Sequence, residues 1–244
     1  ISCLSDIGGC LYLSDLSNTK SDEKTINNCT FSKSNSTSHG SAIYSETNYI
    51  NISNSSFLSC LAVGEGTFYI YAKLNLIEAY FLSNVVENCT SNSGGFLSIQ
   101  CEHQIDSNSL ISIIDCIFNN SKAERSGGAI YSVGDLGTSI TKCLFFGNTA
   151  SQHGGAIYAA KNPIKVDHCL FDHCIAIENE DSKGGAIYFY QIKGETEELC
   201  TYNNFTYCQS KFSGGAIYVY CNEVENLEPD DTDSILLVKI QNCI

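Results

Sequence analysis

The stretch SQHGGAIYAAK, Ser151 to Lys161, holds a five-residue word, GGAIY, that the chain writes four times, starting at Gly127, Gly154, Gly184 and Gly214. Weaker copies start at Gly8 (GGCLY), Gly40 (GSAIY), Glu65 (EGTFY) and Gly94 (GGFLS). The eight starts lie 25 to 33 residues apart and average about 29, and self-similarity at such a period overrides ordinary domain reasoning.

A second word runs between the copies: a small residue or Cys, any residue, Phe, two more, then Asn, Cys or Ser. It reads at Phe31, Phe57, Phe81, Phe118, Phe145, Phe171 and Phe205, with Ser34, Cys60, Asn84, Ser121, Asn148, Cys174 and Cys208 three residues on. Both words alternate with period two and are separated by Gly, Ser and Asn, which indicates short strands and turns. No segment repeats apolar residues at helical spacing over ten or more positions. Three short strands and three turns per period describe one coil of a parallel β-solenoid, in which stacked coils bury a face that none could bury alone. The expectation is all-β: a right-handed parallel β-helix of about eight coils, a rod roughly 35 to 40 Å long at the spacing between paired strands.

Equivalent positions then stack into columns. The Ile column of GGAIY (Leu11, Ile43, Phe68, Leu97, Ile130, Ile157, Ile187, Ile217) is uniformly apolar and must face inward, so alternation sends the Ala and Tyr columns outward. The Tyr column carries Tyr12, Tyr44, Tyr69, Ser98, Tyr131, Tyr158, Tyr188 and Tyr218, a ladder of phenol rings on the surface, with Tyr71, Tyr190 and Tyr220 two residues further on. Self-stacking stabilises a sheet and is sufficient reason for such a ladder; the seven tyrosines are also the candidate contact surface for a partner or glycan. The paired glycines fit a turn with positive φ or one crowded by the next coil. Cys116, Cys143 and Cys169, two residues before their Phe, read as neighbours in a buried stack of free thiols. The Asn members three after Phe read as turn residues that bond to backbone.

The chain has 244 residues, a net charge of −14 and 13 basic residues, of which Arg125 is the only arginine. That balance disfavours nucleic acid and anionic membrane surfaces as partners. No run approaches the roughly 20 apolar residues of a membrane-spanning helix, and no signal segment is visible from Ile1. Fourteen cysteines suit an oxidising, extracellular setting, and seven sequons (Asn28, Asn35, Asn51, Asn54, Asn88, Asn119, Asn204) are candidate glycan acceptors. Cys3 precedes Gly8 as Cys60 precedes Glu65, and Ile244 stops where the next Phe is due. Residues 1–244 are therefore expected to be one solenoid segment of a longer repeat protein.

GGAI followed about two dozen residues later by Phe-x-x-Asn resembles the repeat pair of the chlamydial polymorphic membrane proteins, and GGAIYAAKN (Gly154 to Asn162) is very similar to one of their repeats. The resemblance covers nearly the whole chain and implies the right-handed β-helix passenger of a surface-displayed protein acting in adhesion to host cells. The chain departs from that pattern in its cysteine content. It also has Ser or Cys for Asn at Ser34, Cys60, Ser121, Cys174 and Cys208, and shows no outer-membrane barrel. A related repeat protein on the surface of a eukaryotic microbe fits as well.

Other chemistry is weaker in the sequence. DHCLFDHC, Asp167 to Cys174, offers His168, Cys169, His173 and Cys174 to zinc, but a strand sends adjacent donors to opposite faces. Acidic loops at Glu178 to Asp181, Glu195 to Glu198 and Glu223 to Asp233 read as solvated insertions rather than calcium sites. No aligned carboxylate pair supports a polysaccharide-cleaving β-helix enzyme. The reading is thus a non-enzymatic cell-surface β-helix without cofactor or metal, contacting a receptor, a glycan or copies of itself. A filament or coat protein assembling through solenoid edges is the alternative, and the polysaccharide-acting enzyme the second.

Overall fold

The computed structural model describes residues 3–14, 23–72, 78–101, 110–134, 136–161, 164–190, 198–220 and 238–244. They form an all-β parallel β-solenoid with no helix among them. Each coil contributes four strands rather than the expected three. The second sheet starts with Leu11–Ser14 and ends with Ile217–Tyr220, the third runs from Lys24–Asn27 to Val238–Gln241, and both have eight strands. The fourth sheet has seven three-residue strands from Thr30–Ser32 to Asn204–Thr206. The added sheet is a file of two-residue strands, from Leu4–Ser5 to Gln209–Ser210, too short for alternation to be visible in the sequence.

All strands pair in parallel with the equivalent strand of the adjacent coil, so Tyr131 meets Tyr158 and Tyr188 meets Tyr218 in register. Six of the eight Ile-column residues, from Ile43 to Ile187, are completely buried, whereas Leu11 and Ile217 in the outermost rungs are partly exposed. About six turns, not eight, therefore have a closed interior, because an end rung lacks a neighbour on one side.

Left-handed residues turn three corners in each coil. One precedes the fourth sheet (Asn28, Asn54, Asp115, Lys142, His168), one follows it (Lys33, Ser59, Asn88, Asn120, Gly147, His173), and the third is the first glycine of GGAIY. Asn recurs there because its short polar side chain tolerates this conformation. The second glycine is fixed by crowding instead: a Cβ on Gly155 would lie 2.1 Å from the carbonyl oxygen of Gly185 and 2.4 Å from the amide of Ile175. In the coil of EGTFY the left-handed glycine is Gly66, not the Glu65 position that the repeat alignment assigns to it. The Ser41 amide bonds to the Gly66 carbonyl, so this coil is one residue short.

Two columns differ from the alternation argument. The Ala column faces the core: Ala42, Ala129, Ala156 and Ala186 are fully buried. At that corner the amides of Ala129 and Ile130 both donate to the Ala156 carbonyl at 2.9 Å, a bend that places successive side chains on the same side. Phe81 belongs to the third sheet, opposite Ile52 and Ile113, and the phenylalanine column carries Val86 between Phe57 and Phe118. The missing ring is supplied from the Ala column. Phe96 packs 4.9 Å from Phe57 and 5.7 Å from Phe118, while the rest of the column stacks directly, as Phe118–Phe145–Phe171 does at 4.7 Å per step.

Inward asparagines tie the coils together. The Asn148 side chain accepts from the Ser121 amide at 3.0 Å and donates to the Phe118 carbonyl at 2.9 Å. Asn84 and Asn203 bond in the same way to Ser55 and Ile52, and to Cys169 and Val166. Both lie in the column two residues before the phenylalanine position, so Asn84 does not share the column of Asn148 that its spacing from Phe81 suggests; Cys89 does. Cysteines fill the remaining places and make weaker versions of these contacts. The Cys143 amide donates to Cys169 Sγ at 3.4 Å, and Cys143 Sγ donates to the Ile113 carbonyl at 3.5 Å. Cys116, Cys143 and Cys169 are buried neighbours as expected, and the thirteen described cysteines are free thiols.

Candidate functional site

The tyrosine ladder exists, on the outer face of the second sheet. Ring centroids are 5.1 Å apart for Tyr12–Tyr44, 5.2 Å for Tyr44–Tyr69, 5.1 Å for Tyr131–Tyr158, and 5.2 Å for both Tyr158–Tyr188 and Tyr188–Tyr218. Tyr190 and Tyr220 stack beside it at 5.3 Å. Strand register dictates the spacing, since parallel pairing places identical residues one coil apart.

The ladder is more covered than an outward column suggests. Tyr12 is 50 % exposed, but Tyr44 is 8 %, Tyr69 4 % and Tyr188 6 % exposed. For Tyr69 and Tyr188 the cover comes from the residue that precedes the glycines in the coil before, and Tyr218 has a residue at the same position. His39 stacks on Tyr69 at 4.7 Å, His153 on Tyr188 at 4.6 Å, and Lys183 Nζ lies 5.4 Å from the Tyr218 centroid. Each is locked in place: His39 Nδ1 accepts from the Glu65 amide at 3.0 Å, His153 Nδ1 from the Lys183 amide at 3.3 Å, and Lys183 pairs with Asp181 at 2.8 Å. Burial lowers the pKa of both histidines and raises those of Tyr44, Tyr131, Tyr158 and Tyr188; the Tyr188 phenol is pushed up to about 12 by burial and then by Tyr218 and Tyr190. In the coils that precede Tyr131 and Tyr158 the covering position is Ser93 and Ser126, and these two rings are partly exposed, as is Tyr218 in the end rung.

At Ser98 the ladder is broken, and Glu65 turns into the gap. Its carboxylate accepts from Ser98 Oγ at 3.3 Å and from Gln100 Nε2, whose Oε1 accepts from the Tyr69 hydroxyl at 3.2 Å. Burial raises the Glu65 pKa, opposed by Ser98 and by the charge of Arg125. Arg125, itself exposed, also acts electrostatically on Tyr131 and Tyr158. The sequence reading missed Glu65, Gln100 and Arg125. The signal available was that one coil departs from the repeat in both its glycine pair and, one coil on, its tyrosine.

The remaining candidates are dispersed. His168 and His173 are exposed, pair with Asp167 and Asp172 at 2.9 Å, and His168 stacks on Tyr202 at 4.8 Å, whereas Cys169 and Cys174 point into the core. No group of three or more potential metal ligands comes together among the described residues. Of the acidic loops, Glu178 to Asp181 is exposed and meets Lys122, Lys211 and Lys183 in ion pairs; residues 195–197 and 223–233 lie outside the described residues. Asn28, Asn35, Asn54, Asn88 and Asn204 are exposed and Asn51 and Asn119 half-exposed, so all seven sequons reach solvent. On the third sheet, Glu23, Tyr49, Ile50, Glu78 and Tyr80 line a cavity of about 210 Å3 that the sequence did not announce.

Residues 142–160, one strand of the phenylalanine column followed by one GGAIYAA, match the Chlamydia polymorphic membrane protein repeat. The match falls on one full passage from fourth sheet to second sheet of a parallel solenoid. The chain is a β-helix that carries a repeat similar to those of the polymorphic membrane proteins. No curated protein and no solved structure matches it significantly. In this chain the repeat's Phe and Asn are Phe145, stacked in the core, and Asn148, bonded across coils, while Gly154 and Gly155 make the corner. The described coils on either side of the matched residues follow the same parallel course through the sheets. No helix among the described residues is long and apolar enough to cross a membrane.

Proposed function

We propose that the chain is a non-enzymatic, surface-exposed β-helix that adheres to a partner, and that the outer face of its second sheet makes the contact. The observation that carries this is the inner stretch of the ladder with serine at the covering position, Tyr131 and Tyr158, two stacked and partly exposed phenols within electrostatic reach of the chain's only arginine. Aromatic rings with a polar rim supply contact area at small entropic cost, which is why they concentrate at interfaces. The match to a repeat of bacterial surface proteins supports the location.

The test is saturable binding of the purified chain to host-type cells, beside Tyr131→Ser/Tyr158→Ser and a Tyr12→Ser control, each checked for β-rich circular dichroism. Loss of binding by the double variant alone supports the reading. Equal binding by all three removes the ladder as the contact surface. No binding by any, with mass rising as concentration rises, favours self-assembly.

A further inference from the structure

The cavity on the third sheet is built by three successive coils. Tyr49 pairs in register with Glu78 of the next coil, and Glu23 stands one coil before it, since its neighbour Lys24 pairs with Ile50. The order along this column is carboxylate, ring, carboxylate, with the two glutamates about 10 Å apart at the spacing of paired strands. Tyr49 is 7 % and Ile50 1 % exposed, so they form the floor, while Glu23 and Tyr80 are exposed and Glu78 half-buried around it. Together they line a space of about 210 Å3.

This lining selects by charge, size and shape. Among the described residues it holds two carboxylates, two phenol rings and one aliphatic side chain, and no basic group. Carboxylates beside aromatic faces attract a cation, and the net charge of −14 adds to that pull. The volume is below the roughly 300 Å3 at which pockets begin to take drug-sized ligands, so it suits a single side chain. The Tyr80 hydroxyl donates to Glu78 Oε2 at 3.3 Å. With one oxygen so engaged, Glu78 suits a compact ammonium, which needs a single oxygen, better than a guanidinium fork that takes both.

We propose that this cavity receives one lysine side chain of a partner protein, with the ammonium over the Tyr49 ring between Glu23 and Glu78 and the alkyl stem leaving along Tyr80. A lysine joins an apolar stem to a charged head, which is the pairing that rings and carboxylates offer here. The site lies on the third sheet, away from the tyrosine ladder of the second, and either can fail without the other.

Saturation-transfer NMR tests it on the purified chain, with Nα-acetyl-lysine N-methylamide as the probe and the norleucine and arginine analogues and cadaverine for comparison. The expected result is transfer to the side-chain methylene protons of the lysine probe, with a Kd in roughly the millimolar range, and weaker binding of the others. Glu23→Gln and Glu78→Gln should each weaken binding about fivefold and Tyr80→Leu about threefold. Glu124→Gln, at an exposed carboxylate outside the cavity, should leave it unchanged. No transfer to the lysine probe from folded wild type, equal binding of the norleucine analogue, or an equal loss in Glu124→Gln overturns the site. Tighter binding of the arginine analogue overturns the ammonium assignment, and tighter binding of cadaverine, a free diamine, overturns the protein partner. If Glu78→Gln does not fold, Glu23→Gln and Tyr80→Leu decide, and wild-type affinity in both refutes the site. A null panel combined with ladder-dependent cell binding would reject the lysine site and leave the ladder reading standing.

Discussion

Replacing Phe96 by alanine and Val86 by phenylalanine should each damage the core, and making both changes together should repair it. Phe96 is completely buried, and its ring bridges Phe57 and Phe118 at 4.9 and 5.7 Å where Val86 is too small to do so. Phe96→Ala alone leaves a ring-sized hole, worth about 3 to 5 kcal/mol. Val86→Phe alone forces a second ring into space already occupied, costing about 1 to 3 kcal/mol. In the double variant the ring introduced at position 86 would stand in register between Phe57 and Phe118, and alanine would occupy position 96 as it does at Ala129 and Ala156. Its stability should lie within about 1 kcal/mol of wild type, so the coupling energy is at least about 3 kcal/mol. Urea titration followed by circular dichroism measures all four corners of the cycle. Coupling below about 0.5 kcal/mol, with the double variant as unstable as the sum of the singles, would refute the idea that one ring substitutes for the other.

Three further outcomes follow from the backbone and the ladder. Gly155→Ala should destabilise by about 3 kcal/mol or more, because its Cβ meets only backbone, whereas Gly147→Asn should stay within about 1 kcal/mol; Gly147 has φ of 59° and its Cβ would meet the movable Asn120 side chain. Thermal melts separate the two. Asn148→Ala strands the Ser121 amide and the Phe118 carbonyl and should cost about 2 to 5 kcal/mol, with Asn148→Cys recovering part of it, read by the same melts. Alkaline pH should unfold the rod: Tyr188 is raised from 10.0 to about 12, so its contribution is complete below pH 10 and is lost as pH rises toward 12. Tyrosinate absorbance should include a component that titrates well above pH 10, and a single titration near pH 10 for all tyrosines would contradict it.

Period and patterning made the coil, the inward Ile column, the buried thiols and the tyrosine register legible, because a stacked column must tolerate contact with itself. Misreadings arose where the chain departs from its own repeat. Phe81 has the spacing of the phenylalanine word but lies one sheet earlier, and Glu65 mimics a glycine position in a coil that is one residue short. Strict alternation also fails at the Ala corner, where two amides share one carbonyl.

The solenoid and the alignment of its tyrosines are written in the chain, since both follow from local period and pairing with identical copies. Which tyrosines are covered and which are open emerges only when the coils are stacked. Cover comes from a residue about 30 positions away in the preceding coil, His39 over Tyr69 or His153 over Tyr188, with serine at that position where Tyr131 and Tyr158 stay partly exposed. The lining of the break at Ser98 has the same origin: Glu65 and Gln100 meet there through the packing of one coil on another and not through any spacing along the chain.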